Sequence, residues 1–241
     1  MSPNKPPART EATVPEPTRS SSTEIDAFLR QVRTAAPATG TGRLILALDA
    51  TMSRQPTWDL ACRVQGEMFD AVSAKGGLRV QLVYFRGFGE CRASRFVEDT
   101  AALKQLMARI DCRGGQTQIG KVLSHALKET AAAKVGAVIY IGDALEEPID
   151  ALAEKAGRLG LLGVPAFVFQ EGSDPVAETG FKEIARLTKG AWFRFDRNAP
   201  AMLAKLLSAI AVYATGGLKA LEARGRPEDR LMIENLKGRG A

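Results

Sequence analysis

The chain has 241 residues, of which 45% are hydrophobic and 25% are charged. These values are typical of a soluble globular protein with room for one large core, and they argue against a fibrous or wholly disordered chain. The net charge of +6 is compatible with acidic partners or nucleic acid but indicates neither class of partner by itself.

Several classes of protein are disfavoured by simple features of the sequence. The three cysteines, Cys62, Cys91 and Cys112, form no CxxC spacing, so we expect neither a disulfide framework nor a zinc site, and we expect a reducing, cytoplasmic compartment. The first ten residues lack the apolar segment of a signal peptide, and no apolar run approaches the ~20 residues of a membrane span. His125 falls within a predicted helix and is expected to pack there rather than act as a base.

The chain divides by composition into four parts. Residues 1–22 are rich in Pro, Ser and Thr and are predicted to form a disordered tail. Residues 23–42 are predicted to form a short helix, at 23–34, and a linker, residues 43–215 the main domain, and residues 216–241 a charged tail with helical patterns at 218–223 and 227–236.

Within the main domain, apolar runs alternate with amphipathic stretches. Strands are predicted at 44–48, 79–85, 93–97, 137–141, 164–169 and 191–195, and helices at 57–75, 99–110, 118–132, 148–161, 174–188 and 200–213. The turn RGFGE makes the second and third strands a hairpin. This pattern predicts an α/β fold with a doubly wound, mostly parallel six-stranded sheet in the order 3-2-1-4-5-6, one antiparallel edge strand, and helices on both faces.

Two of these strands end in aspartate. Asp49 follows the first strand, within RLILALDATMS, and Asp143 follows the fourth. In the predicted order these strands are neighbours, and a crevice opens between their carboxyl ends. Two close carboxylates repel each other unless a cation is present. With the hydroxyls of Thr51 and Ser53 they form an all-oxygen set that suits Mg²⁺, Mn²⁺ or Ca²⁺. The alternative is that Asp49 and Ser53 only cap a turn and a helix.

Three separated motifs, DATMS at 49–53, GGQT at 114–117 and GD at 142–143, together resemble the metal-ion-dependent adhesion site (MIDAS) of a stand-alone prokaryotic von Willebrand factor A (VWA) domain. The resemblance implies that Thr51 and Ser53 offer hydroxyl oxygens to a Mg²⁺, Mn²⁺ or Ca²⁺ ion and that Thr117 approaches it directly or through water. Asp49 and Asp143 would hold coordinated waters, and a partner's Asp or Glu carboxylate would complete the coordination.

The motifs depart from the family pattern at two positions. Thr51 replaces a serine and keeps the hydroxyl. Gly142 stands where the family usually has threonine, and the loss of such a supporting hydroxyl can weaken metal affinity ~10–100-fold.

Two neighbouring pairs of residues are given structural roles. Gly114 and Gly115 are expected to allow the tight turn that brings Thr117 to the site. Glu146 and Glu147 could add negative charge near the ion, but we favour their beginning the next helix, where the helix dipole favours acids.

The leading functional interpretation is a binding module rather than an enzyme. It would bind a protein carboxylate through the metal, as an adaptor or assembly factor, with a ring-shaped AAA+ ATPase as partner by analogy alone. One alternative is nucleic-acid binding through the hairpin residues Arg86, Phe88, Arg92 and Arg95, although charge on an edge strand usually only protects that edge. The other is a metal-dependent hydrolase, for which the sequence offers no evident general base.

Overall fold

The computed structural model of the chain describes residues 42–55, 77–195 and 200–237. The predicted tail at 1–22, the predicted helix at 23–34 and the predicted helix at 57–75 lie outside these described residues. The strands are β1 (Gly42–Asp49), β2 (Leu78–Arg86), β3 (Glu90–Ala93), β4 (Ala137–Gly142), β5 (Ala166–Glu171) and β6 (Ala191–Phe195).

The strands form one six-stranded sheet in the order β3-β2-β1-β4-β5-β6. Only the β2–β3 pair is antiparallel, and it closes one edge of the sheet as a hairpin. The predicted strand order and fold class are therefore confirmed. Because β1 and β4 are parallel neighbours, their carboxyl ends meet at the same edge of the sheet.

Helices cover both faces of this sheet. They are α1 (Thr100–Met107), α2 (Ile119–Ala132), α3 (Ile149–Leu161), α4 (Pro175–Leu187), α5 (Pro200–Arg224) and α6 (Pro227–Lys237). Alternate side chains of β1 enter two separate cores: Leu46 and Leu48 pack with α1, α5 and α6, whereas Ile45 and Ala47 pack with α2, α3 and α4. A strand buried on both faces needs apolar residues at successive positions, as the uninterrupted run in β1 predicts.

The third strand differs from its predicted bounds. Regular pairing ends at Ala93, because the Ser94 side chain accepts the hydrogen bond of the Leu82 amide at 3.0 Å. Pairing resumes only as an isolated bridge between Val80 and Val97. The prediction of a strand over 93–97 was thus wrong in its bounds, although the hairpin itself is present.

Helix α5 continues past the predicted end at residue 213, to Arg224, with a break at Gly217, whose φ is +64°. By length and composition alone, the stretch Ala204–Arg224 could span a membrane. In this fold Leu206, Leu207 and Ile210 are buried against the sheet, and this packing accounts for part of the helix's apolar character.

Candidate metal centre

The two aspartates predicted as metal-site residues lie at the ends of adjacent strands. The β1–β4 register pairs Leu48 with Ile141, which places Asp49 beside Gly142 and one step from Asp143. Asp49 is fully buried, and its Oδ1 accepts a hydrogen bond from the Thr51 amide at 2.8 Å. Among the described residues, Asp49 Oδ2 and Asp143 Oδ1 are buried and have no hydrogen-bond partner. Buried carboxylate oxygens without partners are costly, so this pair is suited to receive a cation.

The electrostatics of Asp49 point the same way. The pKa of Asp49 is raised from 3.8 to about 6, mainly by burial and also by the negative charge of Asp143, while the hydrogen bonds from Thr51 and the charge of Arg54 oppose the rise. A carboxylate whose ionised form is this poorly solvated gains most when a cation binds beside it.

The predicted hydroxyl ligands adjoin Asp49. Thr51 Oγ1 and Ser53 Oγ lie 3.1 Å apart in the short 3₁₀ turn that follows β1. Thr51 is buried and Ser53 is exposed, so the group opens to solvent on the side of Ser53. A molecule outside the domain can therefore approach the site from that side.

Thr117 reaches the same edge of the sheet on a different loop. The Thr117 loop is joined to the segment that carries Thr51 and Ser53 by a hydrogen bond from the Arg113 amide to the Ala50 carbonyl oxygen, at 3.0 Å. Thr117 Oγ1 accepts from the Glu146 amide at 3.0 Å, and the Thr117 amide donates to Glu146 Oε2 at 2.6 Å. The structure thus ties Thr117 to the loop that carries Asp143, with its hydroxyl hydrogen-bonded to Glu146.

The sequence suggested that the two glutamates after Asp143 begin α3, but the structure shows that they do not. Glu147 accepts hydrogen bonds from the amides of Ile119 at 2.5 Å and Gly120 at 2.8 Å, at the N-terminus of α2. The attraction between an acid and a helix N-terminus was the correct physical principle, but it acts on a neighbouring helix. Glu146 and Glu147 therefore hold the Asp143 loop against the Thr117 loop.

Gly115 is needed for a close approach rather than for a special backbone angle. Neither Gly114 nor Gly115 has a positive φ, so neither adopts the left-handed conformation that favours glycine. A Cβ on Gly115 would overlap the backbone of Gly87 at the hairpin tip, where Gly87 O accepts from the Gln116 amide.

We expect Gly115→Ala to destabilise the protein by about 1–3 kcal/mol, because two backbone segments must move apart to admit the methyl group. Gly114→Ala is the matched control, since a Cβ there meets no atom within 4 Å. Urea unfolding of both variants measures the difference. Equal stabilities would contradict the observed packing of the hairpin tip on the Thr117 loop.

Sequence reasoning missed a buried ion pair at this edge of the sheet. Arg54, directly after DATMS, pairs with Glu171 at the end of β5, and both side chains are almost fully buried. The charges of Asp143 and Asp49 also act on Arg54, opposing the lowering of its pKa by burial. The available signal in the sequence was Glu171, an acid at the end of a third parallel strand. Because Arg54 pairs with Glu171, Asp49 and Asp143 keep oxygens for another cation.

The residues present fit a hard divalent cation. Among the described residues, no cluster of three or more His, Cys, Asp or Glu side chains could hold a metal, so any ion here depends on hydroxyl oxygens as well as on the two aspartates. Neutral hydroxyl ligands leave a bound ion attractive to an incoming anion.

Two arginines of the basic hairpin, Arg86 and Arg92, are paired with acids. Arg86 contacts Glu90 and Asp111, Arg92 contacts Glu90, and Arg113 contacts Asp111. These ion pairs reduce the charge that the hairpin can offer to a phosphate backbone.

Comparison with known proteins identifies the fold. No family model and no curated protein matches this sequence. Among solved structures, the von Willebrand factor type A protein from Catenulispora acidiphila matches with a TM-score of 0.60 and 18% identity over 73% of this chain and 43% of its own. This chain therefore spans less than half of that protein's length.

Two further structures match over nearly their whole length. The SpRpn10 VWA domain has a TM-score of 0.54 and 12% identity over 73% of this chain and 97% of its own. An aerotolerance-related membrane protein from Bacteroides fragilis NCTC 9343 has a TM-score of 0.53 and 19% identity over 69% and 98%. The chain has the VWA fold.

Proposed function

We propose that the protein is a metal-dependent protein-interaction module that binds a partner's Asp or Glu carboxylate through a Mg²⁺ ion, with Mn²⁺ and Ca²⁺ as alternative ions. Asp49 and Asp143 would supply negative charge, and the hydroxyls of Thr51, Ser53 and Thr117 would supply neutral oxygens. The observation that carries the proposal is a pair of buried carboxylate oxygens, Asp49 Oδ2 and Asp143 Oδ1, that have no hydrogen-bond partner in the described parts of the chain. VWA-fold structures of other proteins support an interaction role in general.

The surface around the site suits a protein partner. Met52, between the two hydroxyl residues, is 55% exposed, and Phe88 at the hairpin tip is 84% exposed. The Phe88 turn is held to the site by hydrogen bonds from the Gln116 amide and the Gln118 side chain to Gly87 O, both at 3.2 Å. Exposed apolar side chains on a rigid turn are typical contacts in protein interfaces. An adaptor role beside a cytoplasmic AAA+ ATPase remains part of this proposal.

The alternatives have less support. Arg86 and Arg92 of the hairpin are paired with acids, which weakens the case for nucleic acid. The chain's single histidine, His125, bonds to Gln81 in the middle of β2 at 2.8 Å and so lies away from the strand ends. It is not placed to act as the general base of a hydrolase.

A peptide titration tests the proposal. In the presence of Mg²⁺, a Gly-Glu-Gly peptide with an acetylated N-terminus and an amidated C-terminus is expected to shift the NMR signals of Ser53, Thr117 and their neighbours, because its only carboxylate, on the side chain, can reach the ion. The matched control is a Gly-Gln-Gly peptide, with the same termini and no side-chain charge. Equal shifts with both peptides, or shifts that persist in EDTA, would contradict a metal-bridged carboxylate.

A further inference from the structure

A buried tyrosine hydroxyl lies behind the candidate site. Tyr140 is on β4 and is 3% exposed. Its ring stacks on Phe85 at a centroid distance of 6.3 Å and meets Phe181 edge-on at 5.4 Å. These contacts fix the ring and therefore the direction of its hydroxyl group.

The hydroxyl fills the space beside Gly142. A Cβ built on Gly142 would lie 2.8 Å from Tyr140 Cζ and would overlap the hydroxyl oxygen itself. The phenol thus occupies the volume that any side chain at position 142 would take. Gly142 immediately precedes Asp143, so the hydroxyl lies next to the backbone that presents this carboxylate.

Tyr140 Oη also has no hydrogen-bond partner among the described residues, and so resembles Asp49 Oδ2 and Asp143 Oδ1. Burial raises the pKa of Tyr140 well above 10, and the charges of Asp49, Asp143 and Glu147 raise it further. The phenol therefore stays protonated and can donate a hydrogen bond in the field of the same carboxylates. A buried hydroxyl without a partner is destabilising, so its retention calls for an explanation.

We propose that the Tyr140 hydroxyl is a positioning group of the metal site, where it donates a hydrogen bond to a water or carboxylate oxygen that is ordered when the cation binds. Gly142 has no hydroxyl group that could support the metal site by a hydrogen bond, and the Tyr140 hydroxyl provides that hydrogen bond instead. This inference rests on the proposed metal-binding function. It adds to the site a residue from the middle of an apolar strand, and it assigns that residue no direct contact with the ion.

Tyr140→Phe removes only the hydroxyl. In EDTA its melting temperature is expected to equal or exceed that of the wild type, since no hydrogen bond to the protein is lost. In calorimetric titrations with Mn²⁺ alone, the Kd is expected to rise about tenfold, in the range found for groups that support metal ligands. The control is Tyr213→Phe, because Tyr213 packs on Phe167 against the opposite face of the sheet and should leave the Kd unchanged.

Each result is decisive. Wild-type affinity for Mn²⁺ in Tyr140→Phe overturns this inference and leaves the proposed function standing. A lower melting temperature in EDTA also overturns it, because the hydroxyl would then have a partner in the metal-free protein. A wild-type chain that binds no Mn²⁺ overturns the proposed function itself, and this inference with it.

Discussion

Changing Asp49 to asparagine is expected to raise the melting temperature of the metal-free protein at pH 7.5 by several degrees. Burial and Asp143 raise the pKa of Asp49 from 3.8 to about 6, so the ionised carboxylate destabilises the fold by about 3 kcal/mol above that pH. Asparagine keeps the oxygen that accepts from the Thr51 amide and removes the charge.

The sign of the pH dependence follows from the raised pKa. The wild-type carboxyl group is neutral in both folded and unfolded states below about pH 3.8, and there it carries no penalty. The penalty develops as the pH rises from there through about 6. The stability gain of Asp49→Asn should therefore be near its full value at pH 7.5 and shrink as the pH falls toward 4.

Mg²⁺ is expected to remove most of the difference in stability between the two proteins. Wild-type protein with Mg²⁺ at 100 times its Kd should gain about 2.7 kcal/mol, whereas Asp49→Asn should gain little. The measurement is thermal unfolding in EDTA and in Mg²⁺, with Glu154→Gln as the control, because Glu154 is an exposed acid on α3. A variant less stable than wild type in EDTA at pH 7.5 would contradict the raised pKa of the buried Asp49.

Changing Asp229 to alanine is expected to destabilise the protein by about 3–5 kcal/mol. Asp229 on α6 is fully buried and accepts hydrogen bonds from Arg224 Nε at 2.7 and 3.0 Å and from the Arg226 amide at 3.0 Å. Arg224 also donates to Ser208 Oγ on α5 at 2.9 Å. Removing the acid leaves the buried guanidinium with Glu228, 3.9 Å away, as its counter-charge and without its close hydrogen-bonded partner, and this is the costly way to break such a pair.

The control variant removes an ion pair at the surface of the same region of the protein. Lys237 on α6 pairs with Glu222 at 2.9 Å, and both side chains are about half exposed. Lys237→Ala should therefore cost no more than about 1 kcal/mol. Urea unfolding compares the two variants. Equal small losses would show that α6 is not packed on α5 as the Arg224–Asp229 pair requires.

Much of the fold could be predicted because its signals are local. Uninterrupted apolar runs marked the doubly buried strands, and the alternation of strands with amphipathic helices predicted the strand order. The end of β3 could not be predicted, because it depends on whether the Ser94 hydroxyl or a backbone group satisfies the Leu82 amide. Such competition between side chain and backbone leaves no periodic signal.

The candidate site was predicted as residue types but not as contacts. Asp49, Thr51 and Ser53 are close in sequence, and this closeness accounts for their proximity in the structure. The pairing of Arg54 with Glu171 joins residues more than a hundred positions apart, which no local pattern encodes. The same is true of the Glu147 contacts with α2 and of the position of the Tyr140 hydroxyl beside Gly142.

A crystal of the protein grown in Mn²⁺ tests the central claim most directly, because the anomalous signal of manganese locates the ion independently of any partner. The expected result is a peak beside both Asp49 and Asp143, on the side where the Ser53 hydroxyl meets solvent, and its absence in crystals of Asp49→Asn. Crystals in millimolar Mn²⁺ with no peak at these carboxylates, or with the Arg54 guanidinium bonded to both of them instead, would contradict the claim.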